Sequence, residues 1–205
     1  MAKKYQILLF DPPWNHEQKN KHFGAVRHYR LMKIDEIIGM ADAIKSLTDE
    51  KAHLYLWTTN AALEDAYKVV RAWGFVPRSL VTWIKPYKGM GAYYFRNQTE
   101  QIIFATKGKA FAGFRSQPNI LYAPRQDHSH KPEELFPIID RMSGYLGPNR
   151  LEGFARRKTT GWDVWGDEVG SDISLKDYGY PVPSDAKFED AKTKRDSALK
   201  QEDSR

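Results

Sequence analysis

The sequence predicts an α/β fold, with a mostly parallel sheet and helices on both faces. Short apolar runs alternate along the chain with segments in which apolar residues recur every three or four positions. This alternation of strand and helix signals is typical of parallel sheets. Several of the apolar runs also stop abruptly at a proline, as at Pro12 and Pro86, because proline cannot donate a hydrogen bond to a neighbouring strand. Polar residues then follow at the carboxyl ends of the predicted strands.

The first half of the chain contains three predicted strands and two predicted helices. Tyr5–Phe10 is an apolar run that Pro12 and Pro13 end, and a polar, basic loop over residues 15–30 follows it. Apolar residues at helical spacing predict a helix over residues 34–44 and another over residues 63–73, which ends at Gly74. The other two strands are predicted at residues 52–58 and 80–84.

The second half continues the alternation and ends in a polar tail. Strands are predicted at 101–106, near Ile120, at 151–155 and at 162–165, and a helix is predicted at 132–142. Two long loops, 85–99 and 107–117, lie outside this scaffold, where recognition surfaces usually occur. We therefore expect one domain over residues 1–169. Residues 170–205 are charged and poor in apolar residues, so we expect a disordered or loosely docked tail.

Composition restricts the classes of function. The chain has no cysteine, which excludes disulfide frameworks, thiolate zinc sites and cysteine nucleophiles. Its first apolar run is too short for a signal peptide or a membrane span, so we expect a cytoplasmic or nuclear protein without membrane contact. The net charge of +6 suits a polyanionic partner such as nucleic acid, although many soluble domains are mildly basic without binding one.

The segment Asp11-Pro12-Pro13-Trp14 directly follows the first predicted strand. In open α/β sheets, ligand sites lie at the carboxyl ends of strands. The Asp11 carboxylate and the Pro12 carbonyl can each accept a hydrogen bond from a planar exocyclic amine, and the Trp14 ring can stack on a base. The alternative interpretation is an ordinary turn followed by a buried tryptophan.

A second candidate segment precedes the helix at 132–142. Lys131 and the amino terminus of that helix can bind a carboxylate, with His128 and Ser129 beside them. A simple helix cap is the alternative. His128 and His130 lack an obvious third ligand, so we predict no metal site.

Two further segments lie near the end of the predicted domain. The strand at 151–155 runs into a turn of small and basic residues, which would let a nucleoside or amino-acid cofactor approach the backbone. Asp167 and Glu168 follow the last strand, where an acidic pair can bind the two hydroxyls of a ribose. Surface turns and surface carboxylates are the alternatives for both segments.

In this order, the segments resemble the MT-A-seventy (MT-A70) family of adenine-N6 methyltransferases and the wider β-class amino methyltransferases. The resemblance covers residues 5–168, and the ordered set is specific although several members are common. The matching segments are Asp11-Pro12-Pro13-Trp14; Tyr29 before Met32; Leu54-Tyr55-Leu56-Trp57; Ala72-Trp73-Gly74-Phe75; Trp83-Ile84-Lys85; Asn97-Gln98-Thr99-Glu100; His128-Ser129-His130-Lys131-Pro132; Phe154-Ala155-Arg156; and Gly161-Trp162 leading to Trp165-Gly166.

The resemblance implies a Rossmann-like fold and S-adenosylmethionine as cofactor. It assigns the target adenine to the catalytic segment Asp11 to Trp14, with Asp11 also beside the cofactor. The cofactor-binding residues that it implies are His128, Ser129, Lys131, Phe154, Arg156, Asp167 and Glu168. The substrate-binding residues that it implies are Trp14, Tyr29, Lys85, Asn97 and Glu100. Gly153 and the acids at 167 and 168 depart from the family pattern, in which bulky and amide side chains are more frequent.

From the resemblance, together with these residues, we expect methylation of the N6 amine of adenine in DNA by direct transfer from S-adenosylmethionine. RNA adenine methylation and a non-catalytic nucleic-acid-binding subunit are the alternatives, and N4-cytosine or small-molecule amine methylation fits less well. The loop residues Lys107, Lys109, Arg115 and Arg125 are candidates for phosphate contacts or are simply solvated. The sequence leaves open whether the protein is a monomer or a dimer.

Overall fold

A computed structural model describes residues 3–15, 31–86, 94–126 and 130–175 of the chain. Its centre is a seven-stranded sheet with the spatial order β5-β3-β4-β2-β1-β6-β7. The strands are β1 (Tyr5–Phe10), β2 (Thr48–Thr58), β3 (Val76–Ile84), β4 (Thr99–Lys107), β5 (Ile120–Tyr122), β6 (Arg150–Gly153) and β7 (Asp163–Trp165).

Helices cover both faces of the sheet, as the sequence predicts. Three helices lie over one face, where Leu8, Leu54 and Ile103 contribute to the larger apolar cluster: α1 (Ile34–Gly39), α2 (Ala41–Leu47) and α3 (Leu63–Ala72). The fourth helix, α4 (Leu135–Ser143), packs through Leu135 and Ile139 on the opposite face. Successive strand residues point to opposite faces, which separates the core into these two layers.

Four of the six neighbouring strand pairs are parallel, which confirms the predicted architecture. The exception is β4, which runs antiparallel to both β2 and β3. Lys85 and Gln98, which flank the connection from β3 to β4, are joined by a backbone hydrogen bond of 2.9 Å. The connection therefore leaves and re-enters the sheet at the same edge, as in a hairpin. Glu100, the second residue of β4, therefore lies near that edge.

Three elements differ most from the bounds that the sequence predicts. The predicted helix at 34–44 is broken at Met40, where the backbone leaves regular helical geometry between α1 and α2. β2 begins four residues earlier than predicted, and β3 begins at Val76 and contains Pro77. β5 pairs with β3 only from Thr82 onward, so Pro77 lies on a locally unpaired strand edge, where a missing N–H is tolerated.

The segment at 171–175 packs against the domain, although the sequence analysis assigns it to the tail. Leu175 is fully buried in the larger apolar cluster. Asp172 exchanges hydrogen bonds with Val164, since its backbone N–H donates to the Val164 carbonyl and its carboxylate accepts from the Val164 N–H. The predicted tail from residue 176 onward lies outside the described residues. Within the described part, every helix is too short or too polar to cross a bilayer.

Candidate active site

Four charged side chains meet at the carboxyl edge of the parallel strands. Asp11 directly follows β1, and Lys85 directly follows β3. Glu100 reaches the same edge because it is the second residue of the reversed strand β4. Lys131 comes from the segment that precedes α4. Residues from four separate parts of the sequence are thus placed together by the sheet.

These side chains form a continuous chain of ion pairs, which we call the ionic chain (Asp11, Lys131, Glu100 and Lys85). Lys131 Nζ lies 3.2 Å from Asp11 Oδ2 and 2.8 Å from Glu100 Oε2. The other carboxylate oxygen of Glu100 accepts from the Lys85 ammonium group. Each ammonium also lies over a tryptophan ring, Lys131 over Trp57 at 5.0 Å and Lys85 over Trp83 at 4.5 Å. Charge pairing and ring contacts together fix the position of Lys131 beside Asp11.

The protonation of these groups follows from burial and from their neighbours. Burial raises the pKa of Asp11; the Lys131 ammonium opposes this increase, whereas the Glu100 carboxylate adds to it. Burial also acts to raise the pKa of Glu100, but Lys131 and Lys85 outweigh it and the pKa is lowered. For Lys131, burial acts to lower the pKa, and the two carboxylates raise it well above its usual range. Asp11 is therefore the acid of the ionic chain that takes up a proton most readily.

A cavity of about 270 Å³ opens between the ends of β1 and β6, next to Asp11. Its wall combines apolar rings with charged groups from the turns after β6 and β7. The lining residues are Leu9, Asp11, Trp57, His130, Lys131, Pro132, Leu135, Phe136, Glu152, Gly153, Phe154, Arg156, Arg157 and Glu168. Such a mixture of aromatic walls and a few placed polar groups is typical of a small-molecule site.

Two buried nitrogen atoms in the lining residues have no hydrogen-bond partner among the described residues. They are Trp57 Nε1 and His130 Nε2. A buried polar atom without a partner is unfavourable, because it has lost its hydrogen bond to water. Both atoms belong to residues of the cavity wall, so a polar ligand in the cavity is a suitable partner for them.

The end of β6 is shaped by a close approach of Phe10. An added Cβ at Gly153 would lie 2.3 Å from the Phe10 ring, so only glycine fits there. The next residue, Phe154, has a φ of 59°, which is unusual for a residue with a side chain. Its ring packs edge-on against Phe10 and Trp165, at 6.0 and 5.1 Å between ring centroids. These contacts hold the strained turn and present Phe154 to the cavity.

All three cations of the turn after β6 are paired with acids. Arg156 donates from Nε and Nη2 to Glu168 Oε2 at 3.0 and 2.9 Å. Arg157 Nη1 lies 3.1 Å from Glu133 Oε1, just before α4. Lys158 pairs with Asp172 in the segment that follows β7. The turn therefore ties together three segments around the cavity.

Comparison with known proteins assigns the family. The model of the MT-A70 family matches residues 5–168. This chain belongs to the MT-A70 family. The match begins with β1 and ends with Glu168 at the cavity, so it covers the sheet and the ionic chain.

Three relatives illustrate the range of MT-A70-related proteins. The type II methyltransferase M.MunI from Mycoplasma sp. is 29% identical over 188 residues, which are 82% of this chain and 78% of that protein. The N6-methyladenosine RNA methyltransferase MTA1 of Cryphonectria parasitica is 28% identical over 187 residues, or 82% of this chain and 52% of MTA1. The human N(6)-adenosine-methyltransferase catalytic subunit METTL3 is 24% identical over 162 residues, or 75% of this chain and 26% of METTL3. This chain thus spans about half of MTA1 and a quarter of METTL3.

The MT-A70 segment Asp11 to Trp14 is held by hydrogen bonds on both sides. The backbone N–H of Trp14 donates to the Pro12 carbonyl, and that of Met32 donates to the Pro13 carbonyl, each at 2.8 Å. Trp14 is only 9% exposed, and its indole N–H donates to the Trp57 carbonyl at 3.0 Å. Little of its ring is therefore open for stacking, and Trp14 fixes the segment beneath Asp11. The Pro12 carbonyl keeps a second lone pair for another donor.

The structure brings together most of the described residues that the sequence analysis selects. Asp11, Lys131, Phe154, Arg156 and Glu168 line one cavity, and Lys85 and Glu100 join Lys131 in the ionic chain. Tyr29, His128 and Ser129 lie outside the described residues, so their roles stay predictions.

Two predicted site residues lie apart from this group. Asp167 is exposed and is not part of the cavity wall. Asn97 is exposed, and its side-chain oxygen accepts a hydrogen bond from the Asn60 amide at 3.3 Å. Among the described residues, this hydrogen bond joins Asn97 to Asn60 and not to a member of the ionic chain. Among the described residues, no three His, Asp or Glu side chains are grouped in a way that could hold a metal ion.

Sequence reasoning did not select Glu152 and Trp57 as site residues. Burial raises the pKa of Glu152, whose carboxylate accepts a hydrogen bond of 2.8 Å from Thr159 and lines the cavity. Glu152 lies between Leu151 and Gly153 in β6, and a carboxylate inside a buried strand is rare. This position in the sequence was a signal that could have selected Glu152. Trp57 stands at the end of β2, where a ring reaches the same edge as Asp11. The place of Trp57 at the end of a predicted strand was the sequence signal that could have selected it.

Two of the proposed phosphate contacts lie at the opposite edge of the sheet. Lys107 ends β4, and Lys109 follows Gly108, which packs against the backbone of Glu50 near the start of β2. Because β4 is reversed, its carboxyl end lies at the amino edge of the parallel strands. Lys107 and Lys109 are thus remote from Asp11. Arg125 follows β5, which is parallel to β3, and remains on the same edge as Asp11.

Proposed function

We propose that this protein transfers a methyl group from S-adenosylmethionine to the N6 amine of adenine in DNA. The observation that carries the proposal is the position of Asp11. It lies at the edge of the cavity, beside the Pro12 carbonyl and in contact with Lys131. A carboxylate that lines a cavity for a small molecule, with a carbonyl acceptor at the next residue, suits an amine that must meet a methyl donor.

The acceptors orient the attacking nitrogen. An adenine N6 amine has two N–H groups, one for the Asp11 carboxylate and one for the free lone pair of the Pro12 carbonyl. With both hydrogens held, the nitrogen lone pair can be directed toward the cavity. In such a transfer the nitrogen lone pair would form the N–C bond, the S–C electron pair would remain on the donor as a neutral thioether, and Asp11 is placed to accept the proton that the amine then loses. No covalent enzyme intermediate is required, so positioning and negative charge near the developing cation provide the rate enhancement.

The residues of the cavity fit S-adenosylmethionine. When bound, this cofactor supplies an electrophilic methyl group. Lys131 offers a positive charge for its carboxylate, and Glu168 offers an acceptor for ribose hydroxyls at the other side of the cavity. The rings of Phe154 and Phe136 provide apolar walls, and Trp57 Nε1 is a buried donor without a partner among the described residues.

DNA is the proposed substrate because the type II methyltransferase M.MunI resembles this chain over most of both lengths. RNA is the second candidate, since MTA1 is named as an RNA methyltransferase and is almost equally similar in identity. A target adenine in a duplex must leave the base stack, which costs a few kcal/mol.

The test is methyl transfer from radiolabelled S-adenosylmethionine to matched DNA and RNA oligonucleotides, with identification of the labelled nucleosides. Label in N6-methyldeoxyadenosine is the expected result. Label in RNA adenosine alone would retain the chemistry and replace the substrate. An absence of label together with an absence of cofactor binding would favour a non-catalytic nucleic-acid-binding subunit.

A further inference from the structure

Exposed aromatic and basic side chains occur in two segments that flank the Lys85 end of the ionic chain. We call this group the aromatic platform (Tyr94, Phe95, Arg96, Tyr122 and Arg125). Tyr94, Phe95 and Tyr122 are 94%, 88% and 68% exposed. Exposed apolar rings that cluster on one surface often mark a binding site. The platform has no role in the reaction as described above.

The register of the sheet places the platform on the edge that carries Asp11. Tyr122 pairs with Ile84, the residue before Lys85. The carbonyl of Ala123 accepts the indole N–H of Trp83 at 2.8 Å, which ties the end of β5 to β3. Tyr94 and Phe95 precede Gln98, the residue that binds the backbone of Lys85. The platform thus borders the Lys85 end of the ionic chain, on the side away from the cavity.

The charge of the platform points to an anionic partner. Arg96 and Arg125 are exposed, and neither forms an ion pair with another of the residues described by the structure. In contrast, the cations of the turn after β6 are paired with Glu168, Glu133 and Asp172. Exposed rings near exposed guanidinium groups are suited to stacking bases and binding phosphates, as in surfaces that bind single-stranded nucleic acid.

We propose that the aromatic platform stacks bases next to the target adenine, so that the preferred substrate is DNA with unpaired bases around the target. This inference rests on the proposed function, because it concerns the substrate of the same site. In a duplex the neighbouring bases are stacked on one another and their faces are not available. A single strand, or an opened duplex, offers those faces to Tyr122 and Phe95 without the cost of unpairing.

The experiment compares one adenine-containing sequence as a single strand and as a duplex, using the full chain. We expect the single strand to have a KM about tenfold lower. Phe95→Ala and Tyr122→Ala should each raise the KM for the single strand about tenfold, without changing kcat or the melting temperature. Phe111→Ala is the matched control, since Phe111 is 69% exposed but follows β4 at the opposite edge.

The readouts separate this inference from the proposed function. Fluorescence anisotropy with the same labelled strands measures binding without methyl transfer. Equal or tighter binding of the duplex, or platform variants that behave like Phe111→Ala, would overturn the inference even if adenine is methylated. If neither DNA substrate is methylated but the platform variants alone lose binding of the single-stranded DNA, the proposed function is wrong and the binding role of the aromatic platform is supported.

Discussion

Asp11 lies between two regions of the same sheet edge, which differ in whether their basic side chains are paired with carboxylates. On the cavity side, around β6 and β7, Arg156, Arg157 and Lys158 are each paired with a carboxylate. On the open side, beside β3 and β5, Arg96 and Arg125 are exposed without such partners among the described residues. The difference fits two kinds of ligand. A small molecule of fixed shape is bound by walls that are already formed, whereas a flexible polyanion is bound by a surface with free cations.

Asp11 lies on the boundary between these regions, and its removal should have the largest effect. We expect Asp11→Ala to lower kcat for methyl transfer by about 100- to 1,000-fold, because one of two acceptors for the amine is lost. Radiolabel transfer measures kcat, while calorimetric titration with S-adenosylmethionine separately measures the affinity for the cofactor. Cofactor binding should change much less than kcat. A variant that transfers methyl groups at the normal rate would contradict the role of Asp11.

Glu100, on the open side, should influence the pH dependence of activity through the pKa of Asp11. Asp11 accepts a hydrogen bond best when ionised, so activity should fall as the pH drops through its raised pKa. The Glu100 carboxylate raises that pKa in the ligand-free protein, and therefore Glu100→Gln should move the acid limb of the kcat/KM profile to lower pH. Glu133→Gln, which removes the partner of Arg157 on the cavity side, is the control and should leave the limb in place. A shift to higher pH would exclude this coupling.

The cavity side depends on the fit of Gly153 under Phe10. We expect Gly153→Ala to lower the free energy of unfolding by about 1–3 kcal/mol, because the added Cβ overlaps the ring. Cofactor affinity should fall with it, since Phe154 follows directly. Denaturant unfolding measures the first effect and titration the second.

Two further variants test whether the overlap is the cause. The double variant Phe10→Ala/Gly153→Ala should lose less stability than the sum of the single variants, because the ring is gone. Gly144→Ala should be nearly neutral, since no atom lies within 4 Å of its Cβ. Additive losses in the double variant would disprove the packing explanation.

The smallest effect on activity is expected at His53, which belongs to neither region. It is fully buried, its Nδ1 lies 2.7 Å from Ser143 Oγ, and burial lowers its pKa from 6.5 to about 4. Between these values the unfolded chain binds the proton more strongly, so stability should fall on acidification by up to about 1.4 kcal/mol per pH unit. Urea unfolding at several pH values checks this slope. His53→Gln should flatten it while kcat near neutral pH is retained.

Strands, helices and the edge of the site could be predicted from the sequence, because each depends on a local pattern of residues. The apolar run before Asp11 and the helical spacing around Val70 were sufficient for β1 and α3, and proline after a strand located the site edge. Long-range features had no local signal. The reversal of β4, the pairing of Glu100 with Lys131 and the fit of Gly153 under Phe10 each depend on residues far apart in the chain. The burial of Trp14 likewise depends on Trp57, whose carbonyl binds its indole.

The reversed strand β4 also sets which loops can change target choice during evolution. The connection at 85–98 begins and ends at the edge that carries Asp11, whereas the loop that follows Lys107 begins at the other edge. We expect insertions in the first loop to change the surface around Asp11. We expect insertions after Lys107 to add surface at the edge remote from Asp11. One strand direction thus allows recognition and attachment to diversify independently in a small domain.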